Sequence, residues 1–334
     1  MYLEGSVEIA GDTIRVIVQL INSANGFHIQ SRTFDRPRED FFEIRDEVTQ
    51  LTVSTLRVSL PDDTQVMFMS SPVTHNPDLD AYILYRRGID ELDNPNTSAV
   101  LADSLEWFDK ALEVDPDFAA AHAGRCRALG SLFRESNQAG AIADAEAAGG
   151  KALELNPNFD LVHTALGFLY TKTGKQEAAE RAFLEALRIN ENNAEAMIGL
   201  SDVLSNQQRP VEAEAILLRA VELYPGGWDV YNSLGVLYYR QGRYSDAAAQ
   251  FAEIVSIDPD NIRGLGNLAS AYMMAGDFES AAPVFSRSIE IEPEGSTYAN
   301  LGLMNYYLGN YEEAEAALRE AVRISPRTHI NWSN

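Results

Sequence analysis

Cysteine is almost absent from this sequence, since Cys126 is the only one among 334 residues. A single cysteine excludes an intramolecular disulfide, so a buried core must hold the fold together. Arg125 and Arg127 flank the thiol, and two guanidinium groups at that distance could lower its pKa and make it reactive. The alternative is that Cys126 only fills a position that requires a small side chain.

Basic residues are also scarce. The sequence has 26 Lys and Arg against 50 Asp and Glu, which gives a formal net charge of −24. A surface of this charge repels phosphate backbones and anionic lipid head groups, so we expect neither nucleic-acid binding nor docking on anionic membranes. It favours basic or neutral partners, although a high net charge also simply keeps soluble proteins apart.

Long apolar runs and targeting signals are missing as well. No stretch reaches the roughly 18–20 apolar residues of a membrane span. The first residues, MYLEGSVEIAGD, contain neither the basic region nor the apolar core of a secretory signal. We therefore expect no membrane insertion. The compartment stays open between the cytoplasm and, if the segment belongs to a longer membrane protein, the periplasm.

The sequence has no recognisable catalytic motif, neither a P-loop nor a G-x-S-x-G nucleophile elbow. Paired carboxylates such as Glu312 and Glu313 fall on helix faces that are predicted to be exposed. Among the five histidines, His122 and His163 stand at the same repeat position. They are either a pair of metal ligands or two residues that fill a packing position. We expect no enzyme activity, no metal site and no cofactor.

What the sequence does contain is a repeat of 34 residues. In residues 228–261, counting residue 228 as position 1, Leu234 and Gly235 stand at positions 7 and 8 and Gly242 at position 15. The spacing of the apolar residues predicts one helix before Gly242 and a second helix after it. Gly235 and Ala247 are small, so we expect the two helices to approach closely there.

The same pattern begins again at residues 160, 194 and 262, and one residue early at 295. Leucine stands at position 7 of each of these units and is followed by a small residue at position 8: Gly167, Ser201, Gly235, Ala269 and Gly302. The unit resembles the tetratricopeptide repeat, a helix–turn–helix motif of the same length. The resemblance implies a mainly α-helical, right-handed superhelical solenoid that binds proteins or peptides in a concave groove.

Two longer, degenerate units precede these five, which makes about seven repeats. The predicted domains are an amino-terminal α/β domain at 1–60, a linker at 61–77, a repeat array at 78–328 and a tail at 329–334. The predicted repeats are 78–118, 119–159, 160–193, 194–227, 228–261, 262–294 and 295–328.

The amino-terminal segment has a different pattern. Alternating apolar residues predict strands at 2–10, 13–22 and 27–34, and a helix follows at about 40–60. The stretches YLEGSV, RVIVQLINSANGFHIQSRTFDR and DFFEIRDEVTQLTVSTLRV resemble the carboxyl half of the TolB-like amino-terminal domain. In bacteria that domain often precedes tetratricopeptide repeats and occurs beside nucleotide-cyclase or winged-helix regulatory domains. Because a three-stranded sheet under one helix is small, we expect a second chain or the first repeat to complete it.

In the repeat family, positions 2, 5, 9, 12 and 13 of the first helix face the groove. Aromatic, Met and Arg side chains are enriched at protein interfaces, and the last three repeats carry several of them at these positions. Amides at position 6 often hold a peptide backbone in the family, although Asn is also common there for structural reasons. The predicted binding residues are Asn232, Val236, Tyr239, Arg240, Asn267, Met273, Met274, Asn300, Tyr306 and Tyr307. We expect the ligand to be a segment with apolar anchors and basic flanks.

Three functions remain open from the sequence. The first is a non-enzymatic interaction scaffold or sensor module that binds a protein or peptide. The second is a self-assembling structural protein whose sheet edge and last repeat join copies of the chain. The third is the regulatory region of a bacterial multidomain signalling protein, a cyclase or a winged-helix regulator.

Overall fold

The structure is a computed structural model that describes residues 2–21, 27–56, 76–93, 98–136 and 139–325. Within these ranges the chain forms three strands followed by 15 helices. The strands are β1 (Tyr2–Ala10), β2 (Thr13–Ile21) and β3 (His28–Pro37). The helices are α1 (Phe41–Leu56), α2 (Leu79–Asp93), α3 (Ser98–Val114), α4 (Ala119–Ser136), α5 (Ala139–Leu155), α6 (Asp160–Lys172), α7 (Gln176–Ile189), α8 (Ala194–Asn206), α9 (Pro210–Leu223), α10 (Trp228–Arg240), α11 (Tyr244–Ile257), α12 (Ile262–Ala275), α13 (Phe278–Ile291), α14 (Gly295–Tyr307) and α15 (Tyr311–Ile324).

The mainly helical fold with a small antiparallel sheet is confirmed. The helices from α2 to α15 follow one another as seven successive pairs, which matches the predicted number of repeats. Contacts between elements group the chain into two units, residues 1–196 and 197–334. The predicted domain boundaries stay predictions, and the linker at 61–77 lies almost entirely outside the described residues.

The amino-terminal sheet is the predicted meander, with strand order β1-β2-β3 and both pairings antiparallel. In β2, Ile14, Val16 and Val18 are buried while Thr13 and Arg15 are exposed, as the alternation predicts. The buried face packs against α1 through a cluster of Ile14, Val16, Val18, Phe34 and Ile44. One helix therefore covers β2 and β3.

The first strand, β1, is left uncovered. Leu3, Val7 and Ile9 pair with buried residues of β2 and so lie on the same face of the sheet, but they are 48%, 57% and 42% exposed. In the described part of the chain β1 pairs only with β2. The first repeat does not cover this strand, because Tyr82 of α2 packs instead on α1, with its ring 5.3 Å from that of Phe42.

The turn inside each later repeat depends on a left-handed residue at position 15. Gly174, Gly242, Gly276 and Gly309 have φ between 75° and 81°, and Gln208 takes the same place with φ 63°. This conformation ends the first helix, because the next N–H bonds a carbonyl five residues back, as Arg243 N–H does to Tyr238 O at 2.9 Å. The predicted break at Gly242 is confirmed.

Close approach of the two helices of a repeat depends on the small residue at position 8. A Cβ built on Gly235 would lie 2.5 Å from Cε1 of Phe251, and one on Gly167 would lie 2.6 Å from Cε1 of Phe183. Each phenylalanine ring thus rests on the backbone of the facing helix. Phe183 and Phe251 are almost fully buried in this arrangement.

We expect Gly235→Ala to lower the free energy of unfolding by about 1–3 kcal/mol, because the added methyl group overlaps the Phe251 ring. Gly266→Ala is the matched control, since nothing lies within 4 Å of its added Cβ. It should raise stability by up to about 1 kcal/mol through helix propensity. Urea unfolding followed by far-UV circular dichroism measures both, and equal stability of the two variants would contradict this account of the packing.

Candidate binding surface of the last three repeats

The first helices of the last three repeats, α10, α12 and α14, carry the predicted binding residues. We call the side chains at positions 5, 6, 9, 12 and 13 of these helices the first-helix surface. Its predicted members are all half-buried or exposed, and Met274, Tyr306 and Tyr307 are 46%, 57% and 58% exposed. Leu234 and Leu268, at position 7, are buried. The first helices therefore bury position 7 and leave the predicted binding residues at least partly exposed. The binding role of each residue stays a prediction.

Two of the predicted amides are brought together. Asn267 Nδ2 donates a hydrogen bond of 2.9 Å to Asn232 Oδ1, which links α12 to α10. Asn300 is half-buried at the corresponding position of α14. Part of the hydrogen-bonding capacity of the first two amides is thus used between repeats, and the second N–H of Asn267 and its carbonyl oxygen are the groups left to meet a ligand.

The one basic member of the first-helix surface is Arg240. Its guanidinium lies 3.9 Å from the carboxylate of Asp202 on α8, and both side chains are more than half exposed. An exposed pair at this distance contributes little to stability. Arg240 is therefore held only weakly by its partner.

Aromatic pairs form where the first helix turns into the second. Tyr239 and Tyr244 meet edge to face at 5.2 Å, and Tyr306 and Tyr311 meet at 5.7 Å. In each pair one ring is at position 12 and the other at position 17, on either side of the left-handed glycine. The sequence prediction missed Tyr244 and Tyr311. The recurrent aromatic residue at position 17 is the signal that could have identified them.

Both histidine rings contact a backbone carbonyl of the chain. The Nε2 atoms of His122 and His163 lie 2.9 Å and 2.8 Å from the carbonyl oxygens of Pro116 and Pro157. Each imidazole thus bonds the loop that precedes its own helix, and within the described ranges no cluster of three or more metal-ligating side chains occurs. The packing interpretation accounts for both residues, and partial burial lowers the pKa of His122.

Cys126 is buried between α4 and α5, where its sulfur lies 3.1 Å from the place a Cβ on Gly149 would take. Burial raises the pKa of its thiol to about 12 despite the nearby Arg127. The reactive-cysteine hypothesis is therefore wrong, because desolvation of the thiolate outweighs the attraction of the guanidinium. Arg127 itself bonds both carboxylate oxygens of Glu195 at 3.0 Å.

A cavity of about 340 Å³ lies in the first unit and contains no predicted site residue. Its walls are mainly the rings of Phe42, Tyr82, Tyr85 and Phe118, with Asp160 among the polar groups. The rings come from α1, α2 and the loop before α4, so no local sequence pattern could have pointed to it.

In the described ranges no helix is long and apolar enough to cross a membrane.

Helix pairs that succeed one another at a fixed sequence period define an α-helical repeat protein. Models of the tetratricopeptide repeat family match residues 164–227, 212–262, 238–302 and 295–329. The chain is a tetratricopeptide-repeat protein. Members of this family bind proteins or peptides, which supports an interaction scaffold as the general function.

Solved structures share the fold. A thermophilic tetratricopeptide-repeat protein of Thermus thermophilus is 21% identical with a TM-score of 0.51, covering 58% of this chain and 99% of that one. PilW, a type IV pilus biogenesis factor, is 19% identical with a TM-score of 0.51, covering 62% of this chain and 95% of that one. These identities show a common fold and nothing more.

A curated relative is "Putative adenylate cyclase 3" of Rhizobium meliloti (strain 1021), which is 35% identical over 121 residues. The match covers 36% of this chain and 20% of the relative, so it spans about a fifth of that protein's length. The resemblance of the amino-terminal segment to a TolB-like domain stays a prediction.

We expect Cys126 to resist alkylation by iodoacetamide in the folded chain at mildly alkaline pH, because its raised pKa leaves almost no thiolate. The thiol should react once urea unfolds the chain, and mass spectrometry measures both extents of labelling. The unfolded sample serves as the control for reagent activity. Fast labelling of the folded chain would contradict the buried placement.

Proposed function

We propose that the chain is a non-enzymatic interaction scaffold that binds a protein or peptide segment along the first-helix surface of the last three repeats. The observation that supports it most is the row of exposed Met and aromatic side chains at the same positions of successive helices. Met274, Tyr306 and Tyr307 each expose about half of their surface. Residues of these types are the ones that dominate the energetics of protein interfaces.

The surface offers the two kinds of contact that a peptide requires. Tyr239, Met273 and Tyr306 give adaptable apolar area along three successive helices. Asn267 and Asn300 give amide groups of the kind that hydrogen-bond an extended backbone. Because the apolar set recurs once per repeat and the amides recur in the last two repeats, a bound segment runs across the first helices and meets each of them in turn.

The charge of the chain decides which segments are favoured. At a net charge of −24, association with a basic partner is accelerated and association with an acidic one is slowed. Because this effect is electrostatic, the association rate with a basic partner should fall as the salt concentration rises. In a partner with apolar anchors and basic flanks, the anchors pack on the Met and aromatic side chains, and the flanks are attracted to the acidic surface.

The test begins with a photo-crosslinking amino acid placed at Met274 and, as the matched control, at Val211, which is 78% exposed on the second helix α9. We expect Met274 and not Val211 to capture a partner in the producing cells. The purified partner is then titrated with a variant carrying Tyr239→Ala and Met274→Ala. Binding should weaken about tenfold or more, since large exposed anchors are lost; unchanged affinity would remove this surface from the proposal.

The uncovered strand β1 favours self-association as a second candidate function. Leu3, Val7 and Ile9 form an apolar stripe on the core face of the sheet. Among the described strands, the outer edge of β1 has no partner, so its backbone groups there are unpaired within the sheet. Two copies of β1 can pair antiparallel with Val7 opposite its counterpart. In that register Glu8 faces Ser6 of the other copy, so like charges do not meet.

Val7→Lys places a charge in the middle of this stripe, and we expect it to convert an associated chain into a monomer because the charge would be buried at the interface. Glu8→Lys is the matched control on the opposite face of the same strand. Sedimentation equilibrium over a range of concentrations measures the mass. A wild-type chain that is monomeric at every concentration would rule this candidate out.

The likeness to a cyclase of greater length supports a third candidate, in which these repeats regulate an effector domain of a signalling protein. Under this candidate the first-helix surface is again the binding site, and it binds either the effector domain or an upstream protein. Joining the chain to the catalytic domain of the relative and measuring cyclase activity with and without the captured partner distinguishes it from a free scaffold. A change in activity supports regulation, and constant activity opposes it.

A further inference from the structure

The last two repeats carry a cluster of rings that we call the aromatic ledge: Phe278, Tyr306, Tyr307 and Tyr311. Tyr307 stacks on Phe278 with centroids 4.7 Å apart and an interplanar angle of 14°. Tyr306 meets Tyr307 and Tyr311 edge to face at 5.9 Å and 5.7 Å. The three tyrosines are 57%, 58% and 66% exposed, so more than half of each residue is open to solvent.

Several other rings of the chain have a cation over them and a carboxylate beside the cation. In the fifth repeat the guanidinium of Arg243 lies 4.0 Å from the centroid of Tyr238. The same guanidinium bonds Glu214 at 2.9 Å and Asp246 at 2.7 Å. The pairing is strong enough to raise the pKa of Arg243. Ring, guanidinium and carboxylate thus form a three-part arrangement.

The first unit repeats the arrangement with different residues. The guanidinium of Arg127 lies 5.3 Å from the centroid of Phe168 and bonds Glu195 at 3.0 Å. A guanidinium suits this place because its planar face stacks on a ring while its edge donates hydrogen bonds to a carboxylate. The same chemistry occurs with a lysine at Tyr170, where Lys175 Nζ lies 5.7 Å from the ring centroid and 2.6 Å from Glu146.

At the aromatic ledge the rings and the carboxylates are present, but the cation is not. Residues 264–318 contain eight Asp and Glu and one basic residue, Arg287, which is already bonded to Asp260 and Glu290. Exposed acidic residues directly follow or precede the ledge rings in sequence: Asp277, Glu279, Glu312 and Glu313. Among the residues that the structure describes, no Lys or Arg lies over a ring of the ledge.

We propose that the aromatic ledge binds an arginine side chain of a partner segment, which supplies the cation that the other arrangements draw from within the chain. The guanidinium stacks on the exposed faces of Tyr306 and Tyr311 and pairs with the carboxylates of the first turn of α15. This inference rests on the proposed function, because it assumes that a partner segment binds. It adds that the segment carries an arginine. Arginine is favoured over lysine, because the planar face of a guanidinium stacks on a ring while its edge donates two parallel hydrogen bonds to a carboxylate.

The probe is a blocked glycine-rich peptide with two arginines, titrated into the full chain by isothermal calorimetry at physiological salt. Two peptides of the same length serve as controls, one with lysine and one with citrulline, which keeps the shape of arginine and lacks its charge. We expect the arginine peptide to bind about three times more tightly than the lysine peptide or better. The citrulline peptide should show no binding at the same concentrations.

Two double variants separate ring stacking from general attraction to an acidic protein. Tyr306→Leu with Tyr311→Leu keeps the apolar bulk and the charge but removes the ring faces, and it should weaken arginine binding about tenfold. Tyr306→Phe with Tyr311→Phe keeps the faces and should bind within about twofold of the wild type. Thermal melts followed by circular dichroism confirm that both variants fold.

Equal binding by the leucine variant and the wild type would overturn the inference, as would equal binding of the arginine and citrulline peptides or no binding of any peptide. A phenylalanine variant that loses as much affinity as the leucine variant would also overturn it, because the hydroxyl groups would then carry the contact. None of these results affects the scaffold proposal, which is tested at Tyr239 and Met274 with a captured partner. Loss of that partner's binding together with an unchanged arginine titration would show that the ledge binds arginine independently of Tyr239 and Met274.

Discussion

The rest of the repeat structure depends on the contact between a large apolar side chain of the second helix, often a phenylalanine, and a small residue on the first. At Gly235 the Phe251 ring occupies the space that a Cβ would need, and the same holds for Gly167 and Phe183. Because the two backbones approach this closely, each helix pair is a thin unit that can pack on the next. The packed core of each helix pair fixes which side chains of the first helix point away from that core, and these include the residues of the first-helix surface.

Because side chains at a given repeat position point the same way in every repeat, they line up along the chain and form a surface. The left-handed glycine at position 15 reverses the chain and brings positions 12 and 17 together, so Tyr239 meets Tyr244 and Tyr306 meets Tyr311. A ring that recurs once per repeat then becomes a row of rings. Acidic residues follow the last of these rings in sequence, and under the proposal their charge favours a basic partner.

Much of the fold could be predicted from the sequence, because its signals are local. Helix periodicity, position-15 glycines and the alternation of β2 each depend on a few neighbouring residues, and the structure agrees with them. The missed features are not local. The bond between Asn232 and Asn267 joins two repeats, and the exposure of β1 follows from how many strands one helix covers. For Cys126, flanking arginines pointed to reactivity, but burial decides its pKa.

The central claim is that the chain acts by binding a segment along the first-helix surface of its last three repeats. Methyl-labelled methionine tests it directly, because Met273 and Met274 lie on this surface while Met197 and Met304 are buried in the same unit. Nuclear magnetic resonance spectra of the labelled chain are recorded as the purified partner is added. The account predicts that the methyl signals of Met273 and Met274 shift with the partner's occupancy while those of Met197 and Met304 stay in place. Binding that leaves the signals of Met273 and Met274 unchanged would contradict it.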